Sequence, residues 1–248
     1  MSPTRWIRSA PRHAAQTDLD RRRALASLSA CAATLALPNG FAQAATCVVT
    51  ADSGEGPFYF DPKLVRSDVT SGRSGAPLDI AIQITRARDC APLAGARLDL
   101  WQADGVGLYS GYRDQPAVGG IPTEPTVGAT FLRGTQLADA DGWVRFKTIY
   151  PSWYGGRTPH VHFKVLLDAR ERIASQIFFD DEINAEVFKS WDPYREHVAK
   201  RTVFNNSDRF LDLNKDGKID GVFCDVERYD SSGVAAKVVV TVENTERA

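Results

Sequence analysis

Two histidines one residue apart, His160 and His162, lie inside the run Arg157-Thr-Pro-His-Val-His-Phe163. A β-branched and aromatic run favours a strand, and alternate strand side chains share a face. His160 and His162 therefore point one way, and Val161 and Phe163 the other. Two imidazoles converging from one strand supply half of a metal site. The bland alternative is a polar pair on the solvated face of an edge strand. Scarcity argues against it: the chain has four histidines, and two of them stand here beside Tyr150, Tyr154 and Arg157.

The rest of the donor set is harder to find among the usual ligands. A carbonic-anhydrase-type zinc site adds a distant third histidine, for which the candidate is His197 beside charged neighbours. A cupin-type site adds a glutamate soon after the pair, but the acids that follow are Asp168 and then Glu171. Phenols cluster better. Tyr109 follows a strand-like run and Tyr154 precedes His160 by six residues. A phenol, with pKa about 10, yields its proton to a trivalent ion far more readily than to a divalent one. Two tyrosinates and two imidazoles would cancel two of the three charges of Fe(III) and leave one for an anionic ligand. Such a hard, high-valent site differs from the two-histidine, one-carboxylate site of Fe(II) oxygenases.

The elements that must position these residues read as strands. Leu78–Ile84, Ala96–Gln102, 129–137, Trp143–Ile149, 161–167, 173–179 and 235–242 are short, with alternating or β-branched patterns and turn signals between them. Asp139-Ala-Asp-Gly142 reads as a hairpin turn between the third and fourth. Residues 168–172 turn between the fifth and sixth, and residues 113–128, rich in Pro and Gly, form a long loop. Asp181 to Arg201 has helical content that Pro193 should break in two. The expected fold is all-β, a β-sandwich with long connecting loops and one or two short helices.

The 248 residues carry net charge −1 and no basic patch, which argues against nucleic acid as a partner. Residues 1–44 differ from the rest. They hold Arg5, Arg8, Arg12, Arg21, Arg22 and Arg23, then an apolar run from Ala24 to Leu37, then Ala42-Gln-Ala44. That is the layout of a signal peptide cleaved after Ala44, too short and alanine-rich to span a membrane. The arginines ahead of the apolar run resemble a twin-arginine signal, so the expected location is periplasmic or extracellular. Lipoprotein anchoring at Cys31 is the minor alternative. Residues 45–248 then form the mature chain, one domain, keeping Cys47, Cys90 and Cys224. Three thiols in an exported chain imply one disulfide and one thiol over, with the pairing open. Asp212, Asn214, Asp216 and Asp220 match part of a calcium loop, but Phe223 stands where the bidentate glutamate belongs. A solvated turn is the stronger reading there, with Ca²⁺ as the second.

Several motifs occur in an order that resembles the intradiol ring-cleavage dioxygenases, the catechol and protocatechuate dioxygenase group. They are Glu55-Gly-Pro-Phe-Tyr59, Leu98-Asp-Leu-Trp-Gln-Ala-Asp104 with Gly107-Leu-Tyr-Ser110, Phe146–Tyr154, Arg157–Phe163 and Ser175-Gln-Ile-Phe178. The resemblance covers roughly residues 47–210. It implies a non-haem Fe(III) held by Tyr109, Tyr154, His160 and His162, with Arg157 and Gln176 beside it and Tyr154 released to take a substrate proton. It implies a small aromatic diol and O2 as substrates and a muconic acid as product. The sequence departs from relatives at Gln102-Ala103, where His-Cys is common, and at Ser152, where they carry glycine. It leaves no room before Leu78 for the helical dimerisation segment of the catechol enzymes, so it resembles a stand-alone catalytic domain. The rival reading from another class is an exported β-sandwich binding module, with calcium in the 212–220 loop.

Overall fold

A computed structural model describes residues 47–115, 124–211 and 223–243. Eight strands form two four-stranded sheets. In chain order they are β1 (Pro77–Arg86), β2 (Arg97–Gln102), β3 (Arg133–Leu137), β4 (Trp143–Ile149), β5 (His160–Leu167), β6 (Arg170–Phe178), β7 (Asp225–Asp230) and β8 (Gly233–Val242). One helix, α1 (Asp181–Ser190), and three single 3₁₀ turns lie between β6 and β7. One sheet has the order β4-β1-β8-β7 and the other β3-β2-β5-β6.

The sheets pack face to face through alternate positions. Leu78, Ile80, Ile82 and Ile84 of β1, with Val238 and Val240 of β8, bury against Leu98 and Leu100 of β2 and Val161, Phe163 and Val165 of β5 in one apolar core. At about 25 cal/mol per Å² of apolar surface, this burial is the main term holding the sandwich together. β1 and β8 pair in parallel, while every other neighbour pair is antiparallel.

Four local expectations change. Asp139–Gly142 does form a tight turn, with Gly142 N–H donating to Asp139 O at 3.0 Å. The strands that it joins, however, lie in opposite sheets, so it is a corner between layers and no hairpin. The strand expected from residue 129 starts only at Arg133, because Leu132 takes a left-handed φ of 53° that a strand cannot continue through. β6 begins at Arg170, inside the stretch expected to turn: Asp168 and Ala169 alone, both with positive φ, make a two-residue β5–β6 hairpin. β7, Asp-Val-Glu-Arg-Tyr-Asp, was absent from the expected set, its acidic and basic residues hiding an edge strand. The helical stretch behaves as expected, with α1 ending ahead of Pro193 and 3₁₀ turns following it.

Cys47 and Cys90 form the disulfide, their Cα atoms 5.6 Å apart. Cys224 lies outside it, buried, its N–H donating to Phe178 O. No helix among the described residues is long and apolar enough to cross a membrane. Residues 1–44, Cys31 and the calcium-loop positions Asp212, Asn214, Asp216 and Asp220 lie outside the described residues.

Candidate functional site

β5 is buried on both faces over His160–Val165. Its inner face supplies core, and its outer face carries His160, His162 and Lys164 under a cover of loops. Register extends that outer face sideways. His162 pairs with Trp101 of β2 and Gln176 of β6, and Trp101 pairs in turn with Arg133 of β3. The result is one cross-strand row, Arg133–Trp101–His162–Gln176, of polar groups and one indole. Trp101 lies flat on the His162 ring, centroids 4.9 Å apart and planes within 8°, which fixes the imidazole direction.

Two loops bring the phenols. Tyr109 follows β2 and is tied down by its N–H to Gln115 Oε1 at 2.6 Å and its carbonyl from Thr126 Oγ1 at 2.5 Å. Tyr154 begins a turn closed by Arg157 N–H to Tyr154 O at 2.7 Å. Gly156 in that turn has φ of 83°, a conformation that other residues adopt at a penalty. Tyr109 Oη and Tyr154 Oη each lie 3.3 Å from His160 Nε2 and 3.5 Å from each other. His160 Nε2 stands 3.0 Å from His162 Nε2. Phe58 stacks on Tyr109 at 4.5 Å and meets Tyr154 edge-on at 6.0 Å.

The electrostatics leave these donors uncharged. Burial pushes the Tyr109 phenol well above its ordinary pKa, with further upward pressure from Tyr154. Burial raises Tyr154 too, against an opposing pull from Arg157. Burial and then the Arg157 charge push both imidazoles well below the usual histidine range. His160 Nδ1 donates to Thr158 O at 2.7 Å, so its Nε2 presents a lone pair. The two phenol oxygens and His160 Nε2 lie 3.3–3.5 Å from one another, with His162 Nε2 3.0 Å from His160 Nε2, distances that match edges of a polyhedron around an ion. Metal–ligand bonds of about 2.1 Å give edges of roughly 3.0–3.4 Å. Two neutral imidazoles and two displaceable phenolic protons suit a trivalent ion.

All six expected residues thus come together: Tyr109, Tyr154 and His162 each within 3.3 Å of His160 Nε2, with Arg157 and Gln176 joined by a hydrogen bond from Arg157 Nη2 to Gln176 Oε1. His197 packs its ring on Trp153 at 4.8 Å. Among the described residues no three His, Cys, Asp or Glu side chains gather for a metal, so neither a three-histidine nor a histidine–carboxylate site forms. Nothing in the sequence assigns a function to Asp208, Phe58 or Arg133. Asp208 pairs with Arg157 across 51 residues of chain, and no local pattern signals that. Trp101 carried a weak signal: its strand offset shows which face it takes, but only the register with β5 puts it against His162.

A family model described as Dioxygenase matches residues 55–221. The chain belongs to the intradiol ring-cleavage dioxygenases. The chlorocatechol 1,2-dioxygenase of Pseudomonas sp. strain P51 is 34% identical over 113 residues, 38% of this chain and 41% of that protein. Catechol 1,2-dioxygenase 1 of Acinetobacter lwoffii is 28% identical over 147 residues, 49% of this chain and 43% of that one. The chain therefore spans less than half the length of these curated relatives. An intradiol ring-cleavage dioxygenase from Tetranychus urticae superposes with TM-score 0.70 at 28% identity, over 82% of this chain and 98% of that structure.

Proposed function

We propose that this chain is a non-haem Fe(III) intradiol dioxygenase. It would insert both atoms of O2 into a catechol-type aromatic and open the ring between the two hydroxyl-bearing carbons, giving a muconic acid. The observation that carries the reading is the meeting of two phenol oxygens around His160 Nε2, at 3.3 Å each, with His162 Nε2 3.0 Å from the same atom. Two relatives, a catechol and a chlorocatechol dioxygenase, point to the same substrate class.

Tyr109, Tyr154, His160 and His162 would hold the ion. Bound there, Fe(III) would supply a Lewis-acidic centre that makes the ring of a catechol reactive toward O2. The chain's own residues do the rest. Tyr154 sits on a turn while Tyr109 is locked by its loop, so Tyr154 Oη, once ion binding has displaced its own proton, would be the one to accept a proton from an incoming catechol hydroxyl. The Arg157 guanidinium faces the negative charge that develops on the ring, and Gln176 fixes its orientation. Trp101 holds His162 in place, and Phe58 shuts water from the phenols. The stoichiometry closes without a reductant, since catechol plus O2 already contains every atom of the muconic acid.

The proposal includes export by the leader in residues 1–44, supported by the Cys47–Cys90 disulfide, which persists in oxidising compartments. A fractionation assay of Arg22→Lys/Arg23→Lys against wild type tests the route. The function is tested by oxygen uptake over a panel of catechols with ferric-loaded protein. Uptake with a muconate product and a red-brown tyrosinate band is the expected result. Colourless protein without uptake after ferric loading would overturn it and favour a binding module, whereas a semialdehyde product would mean that the ring opens outside the diol.

A further inference from the structure

Asp208 is a carboxylate with no solvent contact in its side chain, and each of its oxygens has two donors. Oδ1 accepts from Arg157 Nε at 3.0 Å and from Phe210 N–H at 2.9 Å. Oδ2 accepts from Arg157 Nε at 3.0 Å and from Thr158 N–H at 2.9 Å. Thr158 passes the grip onward. Its Oγ1 donates to Asn205 Oδ1 at 2.8 Å, and its carbonyl accepts the His160 Nδ1 proton at 2.7 Å. Thr158 precedes Pro159, which restricts it to extended backbone. The segment Arg157–Pro159 leading into His160 is therefore held from outside, by a loop about fifty residues further along the chain.

Two consequences meet at one atom. Metal-binding imidazoles are commonly oriented through the ring nitrogen that does not bind, and loss of that partner costs about 10–100-fold in metal affinity. Here the partner is a carbonyl whose own residue is fixed by a carboxylate. The same carboxylate compensates Arg157, three residues before His160. Without it a guanidinium would sit buried beside neutral donors, free to turn toward the His160 carbonyl contact and compete for it.

We propose that Asp208 is a positioning residue that acts through Thr158 and Arg157 to hold His160 as its Nδ1–H tautomer with Nε2 aimed at the phenols. Its part in the chemistry rests on the iron reading above; its effect on the tautomer does not. The test therefore uses the metal-free chain first. Histidine side-chain ¹⁵N spectra should show His160 protonated at Nδ1 in wild type and an added Nε2–H population in Asp208→Asn. Ferric retention against a competing chelator should then fall roughly tenfold or more in that variant, with the visible band shifted. Asp208→Glu keeps the charge on a longer arm and should lose less of both. Should the Asn variant fail to fold, the Glu variant must still shift the tautomer ratio. Ser207→Ala loosens the same loop at an exposed hydroxyl that touches neither Arg157 nor Thr158, and it should match wild type.

A folded Asp208→Asn with wild-type tautomer and retention would overturn the inference, as would equal losses in Ser207→Ala. An unchanged ratio in Asp208→Glu, when the Asn variant does not fold, would do the same. A wild type that takes up no ferric ion would instead remove the iron reading, while the metal-free spectra would still decide the role of Asp208.

Discussion

The two sheets are built from similar strands but meet solvent differently. β1 and β4 alternate buried with exposed or half-exposed positions, as a sheet with one wet face must. β2 and β5 are buried along nearly their whole length on both faces. Their outer face carries Asp99, Trp101, His160, His162 and Lys164, all buried. Burial of so many polar groups is costly unless each is paired. Asp99 is paired with Tyr59 and Thr135, and Lys164 with Glu55 and Glu171, while Trp101 Nε1 and His162 Nδ1 have no hydrogen-bond partner among the described residues. One sheet thus spends its second face on solubility and the other on a dry polar site. A site that keeps its imidazoles neutral, and its phenols protonated until an ion displaces those protons, is confined to the dry one.

The sharpest break in that contrast comes from the pair itself. His160→Ala should remove ferric binding and lower ring cleavage by roughly 10³-fold or more, on the several kcal/mol that a bound ion contributes. Metal content and oxygen uptake check it. An equal loss from Asp79→Ala on the wet face of β1 would sink the distinction. Next in size is Arg157→Met. Its partner Asp208 would stay buried without a cation, and breaking one side of such a pair costs about 3–5 kcal/mol. Urea unfolding measures that loss, and turnover should fall alongside it. A loss under about 1 kcal/mol would mean that water reaches the pair and that the cover over β5 is open.

The same contrast explains what could be read from sequence. β1 and β4 were legible because solvent enforces alternation: Leu78, Ile80 and Ile82 face in while Asp79 and Gln83 face out. β5 was legible for another reason, since the spacing of His160 and His162 carries chemistry whatever covers them. The corner at Asp139–Gly142 looked like a hairpin because its turn residues are the same; which sheet each strand joins depends on packing between layers. Asp208 was invisible, because a partner 51 residues away leaves no periodicity. β7 was lost because an edge strand resists further pairing by carrying charge, which also makes it resemble a loop.

A smaller effect lies at the border of the covered face. Burial pushes the Asp61 carboxyl up, but hydrogen bonds from Arg97 and Lys63 outweigh it and bring its pKa down to about 2. The folded value is depressed, so the unfolded chain binds this proton first as acid is added. The contribution is complete above the unfolded value of about 3.9 and is lost as pH falls toward the folded one. Asp61→Asn should therefore be less stable than wild type at pH 5 and approach it at pH 2. Thermal melts at both values test the sign, and a gap that widens in acid would refute it.

The smallest effect is expected for the ion pair that mirrors Arg157–Asp208 on the open side. Arg145 and Asp139 lie 3.0 Å apart with side chains 62% and 45% exposed, against 8% and 0% for the buried pair. Water screens the outer pair, and Asp139 keeps its main work without it. Its Oδ1 still accepts from Asp141 N–H and Trp143 N–H, which hold the corner between the sheets. Arg145→Met should thus change stability by no more than about 0.5 kcal/mol, with the corner intact. Asp139→Ala, which removes the side-chain acceptor of both backbone N–H groups, should destabilise more than Arg145→Met does. If Arg145→Met matched Arg157→Met in urea, exposure would not be what separates the two pairs, and the division into a wet and a dry sheet would have to be given up.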